Sequence, residues 1–208
     1  MTGAFVIYGD SRSGNCLKVR WTADLVGLDY DWVETDIMQG QSRTEAFLKL
    51  NPSGQTPTMV LPDGRPLAQS NAIILYIAEL TRSALIPQDA YARAKMNEWL
   101  FWEQYSHEPY IAVRRFLKLL AGKGDDEIDA RLLTRGRAAL ERMERAVGES
   151  PYLAGDALSL ADIALVAYTR VAHEGGFDLS GFPNVRAWVA RVEGDLSLKP
   201  AAQPAEAL

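Results

Sequence analysis

The chain has 208 residues, 48% of them hydrophobic and 24% charged, with 22 basic residues against 27 acidic ones and a formal net charge of −5. That length holds one large domain or two small ones, and the composition is that of a globular protein. No basic stripe offers a surface to nucleic acid, no apolar run is long enough to cross a bilayer, and one cysteine with two histidines excludes an internal disulfide and a cysteine-type zinc site.

The start, MTGAFVIYGDS, lacks a charged segment ahead of a long apolar core, so it reads as no signal peptide, and the chain as a cytoplasmic, metal-free protein. AFVIY is a short apolar run that predicts a first strand. In NCLKVRWTADLVGL, Cys16, Val19, Ala23 and Val26 recur at helical spacing and the pattern stops near Gly27. YDWVETD reads as a second strand, and SRTEAFLKL as a short helix ending at NPSG. TMVL and RPLA flank Asp63-Gly64, a hairpin signal, and Ser70 opens a helix through NAIILYIAEL. The order β-α-β-α-β-β-α predicts a mixed four-stranded sheet. Its first two strands should run parallel through a right-handed crossover, and its last two antiparallel.

TRSALIPQD has no periodicity, and from about Asp89 strand signals vanish. YARAKMNEWLFWEQYSHEPYIAVRRFLKLLAG is one long helical pattern that Pro109 should kink or split. GKGDDE is a solvated turn. Leu133, Leu140, Met143 and Val147 mark the buried face of the next helix, SLADIALVAYTRVA and NVRAWVARVE supply two more, and AAQPAEAL is a loose tail. The expected organisation is an α/β domain over residues 1–80, a linker over 81–88 and an all-α domain over 89–208, with no internal repeats.

Three segments stand out for their order and spacing. NPSGQTP precedes the third strand, LAQSNAI opens the third helix, and YLAGDALSLADIALVAY lies far downstream. Together they resemble the glutathione transferase family over nearly the whole chain. SGNCLKVR resembles the active-site loop of its bacterial members that carry serine rather than tyrosine. The resemblance implies a thioredoxin-like first domain that binds glutathione and an all-α helical-bundle domain that shapes a pocket for an electrophile. It also implies a homodimer without nucleic-acid or membrane partners, and a role in detoxification.

Within that frame, Gln55-Thr56-Pro57 aligns with the segment ahead of a cis-proline, whose turn would present the Thr56 backbone to the cysteinyl part of glutathione. Gln69 and Ser70 stand where the family grips the γ-glutamyl end. Ser70 is also the natural N-cap of its helix, whose N–H groups and partial positive charge suit a carboxylate. For the glycine carboxylate the chain offers Gln39, Gln41, Arg43 and Arg12, of which Gln41 is preferred.

A free thiol ionises near pH 8.5, so the chemistry asks for a hydrogen-bond donor and positive potential beside the sulfur. Counting from the strand favours Ser11, and counting back from the helix favours Ser13. Ser13 is preferred because it lies nearer the helix N-terminus, with Asn15 as a second donor. Cys16 shares the apolar spacing of its helix and reads as a core residue.

In the second half, Ser159 and Asp162 form a capping box, a folding motif. Tyr105 and Tyr110 are candidates for the electrophile pocket, and His107 reads as a structural group beside the helix break. The expected function is conjugation of the glutathione thiolate to a small electrophile. One alternative is a glutathione-dependent disulfide reductase or isomerase, against which SRSGNC lacks the contiguous Ser-Ser-Cys of one such branch. The other is a non-catalytic transferase-like binding protein, which would have no need of Ser13, Gln55, Gln69 and Ser70 together.

Overall fold

The computed structural model describes residues 4–201, so most of the tail AAQPAEAL lies outside the described residues. The chain divides into two compact units, one ending at Ile86 and one beginning at Pro87.

In the first unit, β1 (Phe5–Gly9), α1 (Gly14–Val26) and β2 (Tyr30–Glu34) come first. α2 (Glu45–Leu50), β3 (Thr58–Val60), β4 (Pro66–Ala68) and α3 (Ser70–Leu80) follow. The strands form one sheet in the order β2-β1-β3-β4. β1 and β2 are parallel, joined through α1, while β1–β3 and β3–β4 are antiparallel. The mixed topology and the Asp63-Gly64 hairpin expected from the sequence are both present.

Register explains the core. Trp32, Ile7, Met59 and Leu67 are cross-strand partners in one row, so their side chains share a face. Ile7 and Met59 are fully buried, as are Cys16, Val19 and Ala23 of α1 and Ile73, Ile74, Ile77 and Ala78 of α3. On the opposite face, Tyr8 meets Phe47 of α2 edge-on, with ring centroids 5.9 Å apart. Gly9 ends β1 where a side chain cannot fit, because a Cβ there would lie 2.3 Å from the Trp32 ring. α1 stops at Gly27, whose φ of 68° is the left-handed conformation that glycine adopts without a Cβ clash.

The second unit is helical: α4 (Ala90–Trp102), α5 (Glu108–Arg115), α6 (Ala130–Glu149), α7 (Leu160–Thr169) and α8 (Pro183–Asp195). Every residue of α7 is buried, as its apolar circumference requires. Leu140 and Met143 of α6 are fully buried, whereas Leu133 is only partly so.

The Pro109 break takes a different form from a simple kink. Pro109 occupies the first turn of α5, directly after the helical turn that precedes it. The interruption lies upstream, as a π-helical turn over Glu103–His107. His107 is fully buried there, with Nε2 2.9 Å from Thr169 Oγ1, and the Thr169 hydroxyl itself donates to the Leu165 carbonyl at 2.7 Å. The Thr169 oxygen therefore accepts from His107, which ties the π-helical turn to the end of α7.

The capping box at the start of α7 is present and anchors more than its helix. Asp162 Oδ2 accepts from the Ser159 N–H at 3.0 Å and the Ser159 hydroxyl at 2.8 Å. Its Oδ1 accepts from the Leu153 N–H and Trp188 Nε1, both at 2.9 Å. Burial pushes this carboxyl up, and the four donors pull against that rise.

Candidate active site

The loop Asp10–Ser13 leaves β1 and enters α1, so the polar residues singled out in the sequence gather at the N-terminus of that helix. Ser13 occupies the N-cap position but makes no side-chain capping bond. Its hydroxyl lies near the sulfur of Cys16 and favours the charged form of that thiol. Cys16 Sγ accepts from the Asp10 N–H at 3.3 Å, and the Thr56 hydroxyl also favours its charged form. Burial pushes the Cys16 thiol up, with those donors opposing the shift. A buried thiol with raised pKa is a poor nucleophile at neutral pH.

The two serines of the loop face different surroundings. Ser11 donates to Glu34 Oε1 through its N–H at 2.8 Å and its hydroxyl at 3.1 Å. Burial works to raise the Glu34 carboxyl, but these two donors and Trp32 Nε1 hold it below the ordinary carboxylate range. The Ser11 hydroxyl is thus committed to an anion, beside which a thiolate would be repelled. Ser13 stands apart from that carboxylate contact, at the positive end of α1.

Arg12 is the stiffening element of the loop. Its Nε and Nη2 grip Asp10 at 2.9 and 2.6 Å, and Nη2 reaches Asp36 at 2.6 Å. Burial raises the Asp10 carboxyl, but the Arg12 side chain and N–H and the Ile37 N–H outweigh it and hold the group low. With two carboxylates on one guanidinium, Arg12 has little charge to offer a ligand carboxylate. The other candidates lie on the 3-10 turns beyond β2. Gln41 uses its amide oxygen to accept the Asp36 N–H at 2.7 Å, and Arg43 donates to the Ser53 carbonyl at 3.1 Å.

The segment before β3 is organised by Asn51, whose Nδ2 donates to the Gln55 carbonyl at 2.8 Å and to Thr58 Oγ1 at 3.1 Å. The Thr56–Pro57 bond is cis, as the sequence motif led us to expect. Gln55 projects into solvent, Thr56 is half-buried and Pro57 is buried.

At α3 the structure corrects the expectation that Ser70 caps its helix. Gln69 holds the N-cap position at φ 72°, and Ser70 is the first helical residue. A positive φ in a non-glycine residue costs about 1–3 kcal/mol and persists where the surroundings over-determine it. The exposed Gln69 is carried on that turn at the head of the helix, where first-turn N–H groups lack intrahelical acceptors. Ser70 Oγ, displaced from the capping position, donates to Asn15 Oδ1 at 3.1 Å. The start of α3 therefore touches the start of α1. Lys18, which the sequence reading passed over, donates to the same Asn15 oxygen at 2.7 Å.

Ser13 and Thr56 thus lie at Cys16, and Ser70 and Lys18 meet at Asn15, whereas Ser11 is directed to Glu34. In the second unit, Tyr105 lies on the π-helical turn, 82% exposed, and Tyr110 is half-buried in α5. Among the described residues, no group of three or more His, Cys, Asp or Glu side chains is arranged to hold a metal ion. Nor is any helix there long and apolar enough to cross a membrane.

The fold recurs in known proteins. The model of the glutathione S-transferase N-terminal domain matches residues 12–80, and that of the C-terminal domain matches residues 89–191. The crystal structure of a glutathione S-transferase from Pseudomonas fluorescens Pf-5 is 45% identical, with a TM-score of 0.88, covering 97% of this chain and 98% of that one. A possible glutathione S-transferase from Rhodopseudomonas palustris is 41% identical with a TM-score of 0.89, covering 97% and 100%. A Drosophila melanogaster glutathione S-transferase is 28% identical over 184 residues, 88% of this chain and 84% of its own length. With both domain models matched in order and such relatives along the chain's length, the protein belongs to the glutathione S-transferase family of enzymes.

Proposed function

We propose that the protein binds glutathione on its first unit, ionises the thiol beside Ser13 and transfers the thiolate to a small electrophile. The observation that carries this reading is the contrast between the two serines: Ser11 is bound to the Glu34 carboxylate, while Ser13 holds the N-cap position of α1. A hydroxyl donor and the helix dipole both favour the charged form of a thiol placed there. Asn15 is the second donor. The Thr56 backbone pairs with the cysteinyl part of glutathione, and Gln55 lies alongside. Gln69, Ser70 and the first turn of α3 take the γ-glutamyl end. Gln41 takes the glycine carboxylate, a choice supported by Arg12 being matched by two carboxylates. In the second unit, Tyr105 and Tyr110 are the residues we assign to the electrophile.

The protein's contribution is ionisation and placement: the thiolate is held ready and the electrophile is brought to it. Disulfide reduction through Cys16 is disfavoured because that sulfur is fully buried and its thiol is pushed up by burial. We further propose a cytoplasmic homodimer acting in detoxification, with glutathione as cosubstrate and no metal.

Retention on immobilised glutathione, followed by thiol consumption with a chloronitrobenzene, tests the reading. Binding with turnover supports it. Binding without turnover across a panel of electrophiles would leave a binding protein, and light scattering at the mass of one chain would remove the dimer.

A further inference from the structure

We infer that Lys18 is a positioning residue that sets which end of the Asn15 carboxamide is offered to glutathione, an assignment that rests on the function proposed above. Lys18 lies one turn along α1 from Asn15 and has no exposed surface. A fully buried lysine is uncommon unless its nitrogen is satisfied, and packing alone would be better served by methionine or leucine at this place. Its Nζ donates to Asn15 Oδ1 at 2.7 Å, and Ser70 Oγ donates to the same oxygen at 3.1 Å.

The chemistry of these three groups allows one arrangement. A carboxamide has an acceptor at one end and two N–H donors at the other, while a lysine ammonium has donors only. The ammonium therefore selects the oxygen of Asn15 and rejects the flipped amide. The Ser70 hydroxyl meets the second lone pair. The amide N–H groups then lie on the side of Asn15 away from both partners.

For a site that stabilises a thiolate, this orientation decides the sign of the interaction. An amide N–H attracts the anion, and an amide oxygen in its place repels it. Lys18 thus acts on the sulfur through Asn15. Because Ser70 shares the oxygen, the same contact also ties the sulfur end of the site to the γ-glutamyl end, across 55 positions of sequence.

The test is a double-mutant cycle on purified full-length protein, using Lys18→Met, Asn15→Ala and the pair together. Glutathione affinity is read by calorimetry, thiolate formation by ultraviolet absorbance of the bound thiol, and turnover with a chloronitrobenzene. Lys18→Met should lower the thiolate fraction and kcat/KM about tenfold, the effect of one mis-set buried hydrogen bond. The double variant should lose no more than Asn15→Ala alone. Additive losses would show that Lys18 acts independently of Asn15, which overturns the inference, as would an unchanged Lys18→Met. If Lys18→Met does not fold, Lys18→Gln takes its place in the cycle. Its amide can donate to Asn15 Oδ1 or accept from the flipped amide, so it no longer selects one orientation, and the thiolate fraction should fall as expected for Lys18→Met, whereas full retention overturns the inference. A wild-type protein that neither binds nor ionises glutathione would remove the functional reading and this inference with it. A wild type that does both beside an equally active Lys18→Met removes this inference alone.

Discussion

Ser11 is held to Glu34 by two hydrogen bonds onto one carboxylate oxygen, at 2.8 Å from its N–H and 3.1 Å from its hydroxyl. This contact separates two serines that stand two positions apart in the loop. Ser13→Ala should raise the pKa of bound glutathione and lower turnover at neutral pH roughly ten- to a hundredfold, as expected for losing a hydrogen bond to a charged group. Much of the rate should return as pH rises and the thiol ionises without help. Ser11→Ala should leave the pH–rate profile in place. Measuring both profiles decides between the serines, and a shift only in Ser11→Ala would reverse the assignment.

Ser70 should contribute to affinity. Ser70→Ala should weaken glutathione binding by about 0.5–1.5 kcal/mol, the range for one hydrogen bond, because the bond that holds the head of α3 to Asn15 Oδ1 is lost. Rate at saturating glutathione should change less. Since Ser70 does not cap α3, the melting temperature should fall little, which calorimetry beside a thermal scan will show. A lower melting temperature with unchanged affinity would make the residue structural.

Cys16 should be inert in the folded protein and responsive to alkali. Its thiol should react with an alkylating reagent only after unfolding, which mass spectrometry reads directly. A thiol whose folded pKa lies above the unfolded value holds its proton more tightly when folded. Its contribution to stability is present below about pH 8.5 and is lost as pH rises through the thiol range. Cys16→Ala should therefore flatten the alkaline fall in urea-unfolding stability. Rapid alkylation of the native protein would contradict the burial argument.

Asp162 should be a point of fragility. Asp162→Ala removes the acceptor of the Leu153 and Ser159 N–H groups, the Ser159 hydroxyl and Trp188 Nε1 at once. Leaving several buried donors unmatched should cost about 3 kcal/mol or more. The urea midpoint should fall by that measure, and Trp188 fluorescence should report the change. A loss under about 1 kcal/mol would show that the node is dispensable.

What the sequence reveals and what it conceals follow the range of the interactions. The apolar run AFVIY, the Asp63-Gly64 turn, the Gly27 stop and the Ser159–Asp162 box are local, and each specifies its element without reference to the rest of the chain. The choice between Ser11 and Ser13 is not local. Two counts through one loop disagree, and the carboxylate that gives the two serines different surroundings sits 23 positions away at the end of β2, beside Gly9 through the parallel register. Ser70 looks like a cap because serine favours that position. The left-handed turn at Gln69 moves it one place into the helix, and nothing in the residue type announces a positive φ there. Lys18 is hidden for the opposite reason. Lysine is read as solvated by default, and only the packing of α1 against α3 shows that its side chain is enclosed.

The π-helical turn over Glu103–His107 has a consequence for insertions and deletions in the chain. Hydrogen bonds that reach five residues back instead of four take up one more residue per turn than the flanking α-helix. Elsewhere in α4 or α5, deleting a residue would rotate everything beyond it by about 100° and bring polar side chains into the core. Within Glu103–His107, the same deletion tightens the turn to α-helical pitch and leaves the faces before and after it in phase. The second helical unit therefore carries a site where its length can change by one residue while its buried faces stay aligned.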